Sequence, residues 1–347
     1  MKQVATDRKV VLFGELMMRL STKRHERIVQ ARELEVIYSG AEANLGVALA
    51  AFGVESFMVS SVPDNAVGHA CLAYMRQFGL NLDHVRKNGH RLGIYFVETG
   101  AAQRPSTFLY NRKGSSITEL LPGDIDWKAI FAGKHWFHFT AITPALGDSV
   151  AAITREACVA AHDLGLTVSC DLNFRRKLWT AEKARAVMAD LLQFVDVLFT
   201  NEEEAETLFG IRARDANVKG GTLSASGYED VAVQLSQRFG LRAVSITLRE
   251  SLSATQNNWS GMLYDGKRFY TSRRYHMDYI VDRIGGGDAY SSGIIYGMLT
   301  GQDLQESVEF AAAASCLKHT IHGDFNLVTF DEVLALMEGD ASGRIQR

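Results

Sequence analysis

The sequence has few cysteines and no excess of basic residues. Its four cysteines, Cys71, Cys158, Cys170 and Cys316, are scattered along 347 residues without the spacing of metal-ligand pairs. This spacing predicts buried thiols in a reducing cytoplasm rather than disulfides or zinc ligands. The formal net charge of -3 offers no basic surface for nucleic acid, so we expect no nucleic-acid partner.

Long apolar runs are also missing. No stretch is long enough to cross a bilayer, and residues 1–9 lack the apolar segment of a secretory signal. The sequence contains neither the glycine-lysine loop of Walker-type nucleotide sites nor a protein-kinase signature. We therefore expect a cytoplasmic protein that does not contact a membrane and does not use either of those two motifs.

The sequence does contain enough apolar residues for a large core. With 47% hydrophobic residues, the chain can form one large α/β domain or a domain with a small appendage. Short apolar runs alternate with helical patterns, which predicts a mostly parallel sheet covered by helices on both faces. Ligands are then expected at the carboxyl ends of the strands. The predicted strands are residues 10–13, 57–62, 136–140, 167–172, 195–200 and 243–248.

Two segments break this rhythm. Residues 19–38 and 93–110 alternate polar and apolar side chains and carry the signals of antiparallel hairpins. On sequence alone, this pattern fits a separate lid and an edge hairpin of the main sheet equally well.

A glycine run lies near the carboxyl-terminal end, where an amphipathic helix is predicted to begin. Gly285, Gly286 and Gly287 allow successive backbone amides to point at one anion above a helix N-terminus. Asp288 follows them and is placed to accept a proton from a hydroxyl group as its oxygen attacks phosphorus. The alternative is a glycine turn in which Asp288 caps the helix.

A second glycine, Gly40, precedes a stretch of small residues. It permits the close approach of a polyol, and the nearby Asn44 amide can both donate to and accept from a hydroxyl group. The alternative is a glycine before a helix, with Asn44 as a capping group.

These motifs resemble those of the PfkB, or ribokinase-like, family of small-molecule kinases. The run from Asp282 to Asp288 is similar to the family pattern Asp-Thr-x-Gly-Ala-Gly-Asp, with Arg283 replacing the threonine and Gly286 the alanine. Residues 39–44 resemble a region in which a glycine and an asparagine contact sugar hydroxyls. Glu15 matches an acidic residue that often reaches the sugar, and is a weaker candidate. The resemblance spans nearly the whole chain.

The resemblance also implies a fold. That fold is a ribokinase-like three-layer α/β/α core with a mostly parallel sheet and a small β-sheet lid over the sugar site. The lid would be formed by about residues 15–40 and 91–120, inserted in a single kinase domain that spans residues 1–347. Because such a lid is often an oligomer interface, a homo-oligomer (a dimer or larger) is expected.

Four residues resemble those of the subgroup that phosphorylates 2-keto-3-deoxygluconate: Tyr95, Tyr110, Arg112 and Arg175. Two guanidinium groups at one end of a pocket would grip a carboxylate and prefer a sugar acid to a neutral sugar. The tyrosines could bond to hydroxyl or keto oxygens while their rings wall the pocket. Taken singly, each arginine is more typical of a surface residue or an ion-pair partner.

The nucleotide side is less regular. Asn201 and Glu204 match the family's Asn-x-x-Glu element, and Glu204 would hold Mg²⁺ partly through water; an acidic first helical turn explains the glutamates equally well. Many relatives carry two glycines in the stretch that leads to the adenosine, and residues 247–254 have neither. We assign Thr247, Arg249 and Ser253 to the nucleotide, together with Asn201.

We therefore expect transfer of the γ-phosphate of ATP, with Mg²⁺, to the C6 hydroxyl of a sugar acid, with Asp288 as the base. The partners would be the sugar acid and ATP. Two alternatives stay open: a kinase of a neutral sugar such as fructose or ribose, and a catalytically silent homologue that binds a metabolite. The choice between gluconate- and galactonate-derived acids, the oligomer size and a requirement for a monovalent cation also stay open.

Overall fold

The computed structural model describes residues 1–4, 6–212 and 225–339, which form two separate β-sheets. The strands, numbered along the chain, are β1 (Lys9–Phe13), β2 (Met17–Ser21), β3 (Glu35–Ser39), β4 (Glu55–Val62), β5 (Asn81–Lys87), β6 (Gly93–Glu98), β7 (Thr107–Asn111), β8 (Trp136–Thr140), β9 (Thr167–Asp171), β10 (Val197–Thr200), β11 (Ala243–Ser251), β12 (Asn257–Tyr264), β13 (Phe269–Thr271) and β14 (Tyr275–Met277). The six predicted strands correspond to β1, β4, β8, β9, β10 and β11, with small differences at their ends. Those six predictions are confirmed.

The main sheet is mostly parallel, as predicted. Its strand order is β13-β12-β11-β10-β9-β8-β1-β4-β5, with β14 beside β12. All neighbours from β11 to β5 in this order pair in parallel, and antiparallel pairing is confined to β12 and its three partners. The parallel strands end at one edge of the sheet, where the polar residues that follow them meet.

Helices cover both faces of this sheet. They are α1 (Ala41–Ala51), α2 (Ala66–Gln77), α3 (Trp127–Phe131), α4 (Ile142–Ala145), α5 (Asp148–Asp163), α6 (Ala181–Leu191), α7 (Glu202–Phe209), α8 (Ala225–Phe239), α9 (Gly286–Leu299), α10 (Leu304–Lys318) and α11 (Phe330–Glu338). None of the described helices is both long and apolar enough to span a bilayer.

The three-layer arrangement follows from strands that are apolar on both faces. In β1, Val10 and Leu12 pack into one core with α1, α9 and α10, whereas Val11 and Phe13 pack into a second core with α5, α6 and α8. Because successive side chains of a strand point to opposite faces, a continuous apolar run requires cover on both sides. The predicted α/β/α layering is confirmed.

The second sheet has four strands in the order β3-β2-β6-β7. The outer pairs are antiparallel and the central pair, β2 with β6, is parallel. Residues 93–110 do form a hairpin, but it belongs to this sheet and not to the edge of the main one. All four strands fall inside the segments 15–40 and 91–120 that were predicted to form a lid.

The four cysteines are free thiols. Cys71, Cys158 and Cys170 are buried, and Cys316 is partly exposed. Burial raises the pKa of the Cys71 and Cys316 thiols to about 12. These thiols stay protonated at neutral pH, and a protonated thiol is a poor nucleophile.

Close packing of α9 against α10 makes Gly293 sensitive to substitution. A Cβ on Gly293 would lie 2.5 Å from the Cα of Ala311, and backbone atoms have little room to shift. We expect Gly293→Ala to lower the free energy of unfolding by about 1–3 kcal/mol through overpacking, despite the better helix propensity of alanine. Urea denaturation measures this change.

The matched control is Ala73→Ser, which also adds one heavy atom to a helix, at an exposed position of α2. Its free energy of unfolding should stay within about 0.5 kcal/mol of the wild type. Equal stability of Gly293→Ala and the wild type would contradict the close contact between the two helices.

Candidate active site

A cleft of about 1240 Å³ lies where the carboxyl ends of the parallel strands face the four-stranded sheet. It is the position expected for a ligand site in an open parallel sheet. The structure brings together here all but one of the predicted site residues, namely Gly40, Asn44, Tyr95, Tyr110, Arg112, Arg175, Asn201, Glu204, Thr247, Arg249, Gly285, Gly286, Gly287 and Asp288. Ser253 does not line the cleft.

The glycine loop is pressed against the chain beneath it. Gly285 has a left-handed backbone (φ 80°), and a Cβ there would lie 1.9 Å from the carbonyl oxygen of Asp324. A Cβ on Gly286 would lie 2.4 Å from the His319 ring, whereas one on Gly287 would meet nothing within 4 Å. Helix α9 begins here, so its first amides have no partner within the helix and are available to an anion.

Asp288 is the third residue of α9, and Gly285 is the residue that caps the helix. The alternative in which Asp288 is the helix cap is therefore wrong. Its partly buried carboxylate instead accepts a hydrogen bond of 2.7 Å from the side-chain amide of Asn44 on α1. Burial raises the pKa of Asp288 to about 7, with a further increase from the charge of Glu42, and the Asn44 hydrogen bond opposes both.

Asn44 lies inside α1 and links two parts of the site. Its carbonyl oxygen is 3.5 Å from the backbone amide of Gly40, and its nitrogen donates to Asp288. A Cβ on Gly40 would lie 2.2 Å from the carbonyl oxygen of Glu15, so the close approach at this glycine is to the chain itself.

Arg112 is fixed at the four-stranded sheet. Its Nε lies 2.9 Å from the buried carboxylate of Glu15, and its guanidinium stands 5.2 Å from the centre of the Tyr110 ring. Ser115 also donates to Glu15, at 2.5 Å. Burial raises the pKa of Glu15, and Arg112 and Ser115 oppose the increase. Glu15 therefore serves to hold Arg112, a role that sequence reasoning did not assign to it.

Tyr95 lines the cleft with its ring, but its hydroxyl group is already bonded within the protein. The hydroxyl donates to the carboxylate of Asp324 and shares a 2.7 Å hydrogen bond with Ser39. The Tyr95 and Tyr110 rings stack with centroids 5.7 Å apart. The Tyr95 hydroxyl group is therefore engaged within the protein, and its ring contributes to the wall of the cleft.

Arg175 follows strand β9 and lines the same cleft as Arg112. It is exposed, and within the described ranges it forms no ion pair shorter than 4 Å. Its charge opposes the raised pKa of three partly buried carboxyl groups, those of Asp171, Glu204 and Asp288. This guanidinium is thus near the Asp288 carboxylate and is available to an anionic ligand.

Asn201 and Glu204 open helix α7, next to β10. Asn201 is the helix cap, since its side-chain oxygen accepts from the amide of Glu204 at 3.0 Å. The Glu204 carboxylate accepts from the amide of Phe174 at 3.0 Å and lies 3.4 Å from the Thr200 hydroxyl. Asn201 thus caps α7, the glutamates that follow it form an acidic first turn, and Glu204 lines the cleft.

Two carboxyl groups, those of Asp171 and Glu204, interact on the side of the cleft assigned to the nucleotide. Burial raises the pKa of Glu204 and Asp171, and the charge of Glu204 raises that of Asp171 further. A divalent cation would relieve this repulsion, so the donor set fits Mg²⁺. The residues described contain no group of three metal-ligating side chains close together, which is consistent with an ion held largely through water and phosphate.

Arg283 stands where the family pattern has threonine. Its contacts account for part of the difference between residues 247–254 and the family pattern. Its guanidinium donates to the carbonyl oxygens of Ser253 and Ala254 and to the side chain of Asn257, 3.1 Å away. It thus ties the β11–β12 turn to the glycine loop. The Ser253 hydroxyl accepts from the amide of Thr255 at 3.2 Å, so it stabilises the turn and does not face the cleft.

A buried charge cluster beneath the glycine loop escaped sequence reasoning. Arg19, on β2, is fully buried and lies 2.7 Å from Asp282 and 2.5 Å from Asp324. Asp282 precedes the glycine loop, and Asp324 contacts it from below. The alternation of β2 could have indicated that Arg19 points inward, but sequence spacing does not reveal partners about 300 residues away.

Comparison with known proteins agrees with this site. Residues 7–328 match the pfkB family carbohydrate kinases. A crystal structure of 2-dehydro-3-deoxygluconokinase from Thermotoga maritima is 44% identical, with a TM-score of 0.92 over 96% of this chain and 100% of that one. The predicted ribokinase-like fold and family are confirmed.

Two further relatives are sugar-acid kinases by name. A 2-dehydro-3-deoxygalactonokinase of Haloferax volcanii is 31% identical over 96% of this chain and 98% of its own length. A 2-dehydro-3-deoxygluconokinase of Thermoproteus tenax is 27% identical over 91% of this chain and 89% of its own. With this likeness along the whole chain and a site built around Asp288 and the glycine loop, the protein belongs to the pfkB family of carbohydrate kinases.

Proposed function

We propose that this protein phosphorylates the C6 hydroxyl of a 2-keto-3-deoxy sugar acid of the gluconate or galactonate type, with ATP as the donor. One observation carries the proposal. A single cleft holds a partly buried carboxylate at a glycine-rich helix N-terminus together with two arginines, Arg112 and Arg175. The names of the similar kinases support the same substrate class.

The reacting end of the cleft is built for phosphoryl transfer. The substrate hydroxyl oxygen attacks the γ-phosphorus, the bond to the β,γ-bridging oxygen breaks, and ADP leaves with the bridging electron pair. Asp288 accepts the hydroxyl proton, for which its raised pKa suits it near neutrality. The amides at the start of α9 stabilise the charge on the transferred group.

Two arginines that line the cleft would select for a carboxylate. Arg175 supplies an exposed guanidinium without a competing ion pair among the residues described, and Arg112 supplies a second one in a fixed orientation. Planar guanidinium groups bind carboxylates with two parallel hydrogen bonds. Tyr110, over which Arg112 lies, walls the sugar on the same side.

On the nucleotide side, Thr247 and Arg249 line the cleft next to Asn201. Arg249 would attract the phosphates by charge where many relatives use glycine amides. Glu204 would hold Mg²⁺ through water, and the bound ion supplies neutralisation of the triphosphate. A monovalent cation is not needed to account for these contacts.

The four-stranded sheet completes the cleft as a lid inserted in a single kinase domain. Its closure over the sugar would exclude water and limit ATP hydrolysis. Its strand register aligns an apolar row, Val36, Leu20, Phe96 and Leu109, and Val36 and Leu109 are 50% and 59% exposed. This row supports a homo-oligomer in which the sheet packs against a second copy.

The base is tested by Asp288→Asn. Asparagine has the same shape and can still bond to Asn44, but it cannot take the proton. We expect turnover of the sugar acid to fall by roughly 10²–10⁴-fold, while ATP and the acid still bind. Steady-state kinetics and calorimetric titration measure the two effects. Asp148→Asn, which removes an exposed carboxylate that pairs with Lys183, should leave turnover unchanged; near-normal turnover of Asp288→Asn would remove the proposed base.

The pH dependence tests the titration of Asp288. Because the base must be ionised, kcat/KM should rise about tenfold per pH unit below the Asp288 pKa of about 7 and level off above it. Asn44→Ala removes the hydrogen bond that lowers this pKa, so its midpoint should move to higher pH. Glu42→Gln removes a charge that raises the pKa, so its midpoint should move to lower pH. A flat profile, or shifts of both variants in one direction, would contradict the assignment.

Acid recognition is tested by Arg175→Ala. Loss of a charged hydrogen bond typically costs about 1.5–3 kcal/mol, so kcat/KM for 2-keto-3-deoxygluconate should fall by roughly 10–100-fold. Any turnover of fructose, which has no carboxylate, should change little. Parallel assays on both sugars measure the ratio.

Two further variants sharpen this comparison. Arg155→Ala removes an exposed arginine that pairs with Asp190 and should leave both activities unchanged. Arg112→Lys keeps the charge beside Glu15 but loses the planar fork, so acid turnover should fall. If Arg175→Ala and Arg112→Lys both retain full acid activity, no carboxylate is recognised and a neutral sugar is the better substrate.

A further inference from the structure

Lys318, in the last turn of α10, is fully buried beneath the glycine loop. Its ammonium nitrogen lies 3.2 Å from the carbonyl oxygen of Ile321 and 3.4 Å from that of Asp282. A Cβ on Gly285 would lie 3.4 Å from the Lys318 side chain. The ammonium group therefore sits directly behind the loop whose amides face the phosphate.

The charges around this position balance only if Lys318 is counted. Arg19 and Lys318 are cations, Asp282 and Asp324 are anions, and all four side chains are buried. Arg19 touches both carboxylates, whereas Lys318 reaches backbone carbonyls from the other side. Without Lys318 the cluster would carry one net negative charge behind a loop that must bind an anion.

Burial of an amine is unfavourable unless other groups compensate. Desolvation lowers the pKa of Lys318, and the charges of Asp282 and Asp324 oppose that decrease. Carbonyl oxygens at the end of α10 add to the favourable field for a cation. The position therefore has the character of a binding site for a small monovalent cation, formed by backbone carbonyl oxygens near two buried carboxylates and filled by a side chain.

We propose that Lys318 acts as a built-in monovalent cation that positions the glycine loop, so that phosphoryl transfer needs no added potassium or other monovalent metal ion. Its ammonium group holds the carbonyls of Asp282 and Ile321 together and cancels the negative charge behind the loop. This inference rests on the proposed kinase function. Lys318 is a positioning residue, since it acts through the loop and does not line the cleft.

The wild-type enzyme gives the first test. The purified full-length chain is assayed with ATP, Mg²⁺ and 2-keto-3-deoxygluconate in KCl, NaCl or choline chloride at equal ionic strength. We expect the same turnover in all three salts; strong activation by K⁺ would overturn the proposal. If the wild type phosphorylates only a neutral sugar, the proposed substrate is wrong, and the same salt series on that sugar still tests Lys318.

Substitution of the lysine gives the second test. Lys318→Met removes the charge with little change in volume, and we expect kcat to fall by about 100-fold or more while KM for the sugar changes little.

Lys318→Ala leaves room for an ion, so K⁺, NH₄⁺ or methylammonium should restore turnover in a concentration-dependent way, and choline should not. Lys183→Met, at an exposed lysine, is the control. Full activity of Lys318→Met, or a folded Lys318→Ala that no small cation restores, would make Lys318 a packing residue only.

A crystallographic readout does not depend on activity or on the identity of the sugar. Crystals soaked in thallium acetate should show no anomalous peak beside the carbonyls of Asp282 and Ile321 in the wild type, and a peak there in Lys318→Ala. A thallium site next to Lys318 in the wild type would overturn the inference even if the variants fail to fold.

Discussion

The close contact between Gly285 and the carbonyl of Asp324 sets the position of everything that reacts. It fixes where α9 begins, and with it the direction of the first amides and of the Asp288 carboxylate. Arg19 stabilises the contact from the four-stranded sheet by pairing with Asp324 and Asp282. A buried ion pair of this kind is weak support for stability but strongly specifies geometry. Buried ion pairs thus link the four-stranded sheet to the glycine loop.

Burial at this point has opposite effects on the two kinds of charge. It raises the pKa of Asp288 to about 7, which makes the carboxylate a better proton acceptor, and it lowers the pKa of Lys318. A neighbouring negative charge raises the Asp288 pKa further, as the charge of Asp324 does, and a pKa far above neutrality would leave the carboxyl group protonated. The cations Arg19 and Lys318 limit this effect by offsetting the charges of Asp282 and Asp324 beneath the loop.

Local patterns predicted the sheet, its layers and the glycine loop with Asp288, because each depends on residues close in sequence, whereas the family resemblance supplied most other cleft residues. Apolar runs such as the one in β1 require cover on both faces, and the glycine run next to Asp288 specifies a helix N-terminus that accepts an anion. What sequence could not give was the pairing of distant side chains. Neither the link from Arg19 to Asp324 nor the bonds of the Tyr95 hydroxyl follow from spacing. Nor does spacing reveal that the guanidinium of Arg283 holds the turn of Ser253 through its carbonyls, and the assignment of Ser253 to the nucleotide stays a prediction.

The two arginines of the proposed substrate site, Arg112 and Arg175, differ in how firmly other side chains fix their orientation. Arg112 is already paired with Glu15, so its orientation is set before a ligand arrives and little side-chain entropy remains to be lost. Arg175 is exposed and lies close to the carboxyl groups of Asp171, Glu204 and Asp288. These groups repel an approaching carboxylate, so binding of the acid depends on the positive charge of Arg175. A preorganised guanidinium then determines the orientation of the acid, and the freer one supplies the attraction. Discrimination between acid and neutral sugar should therefore depend more on Arg175 than on Arg112.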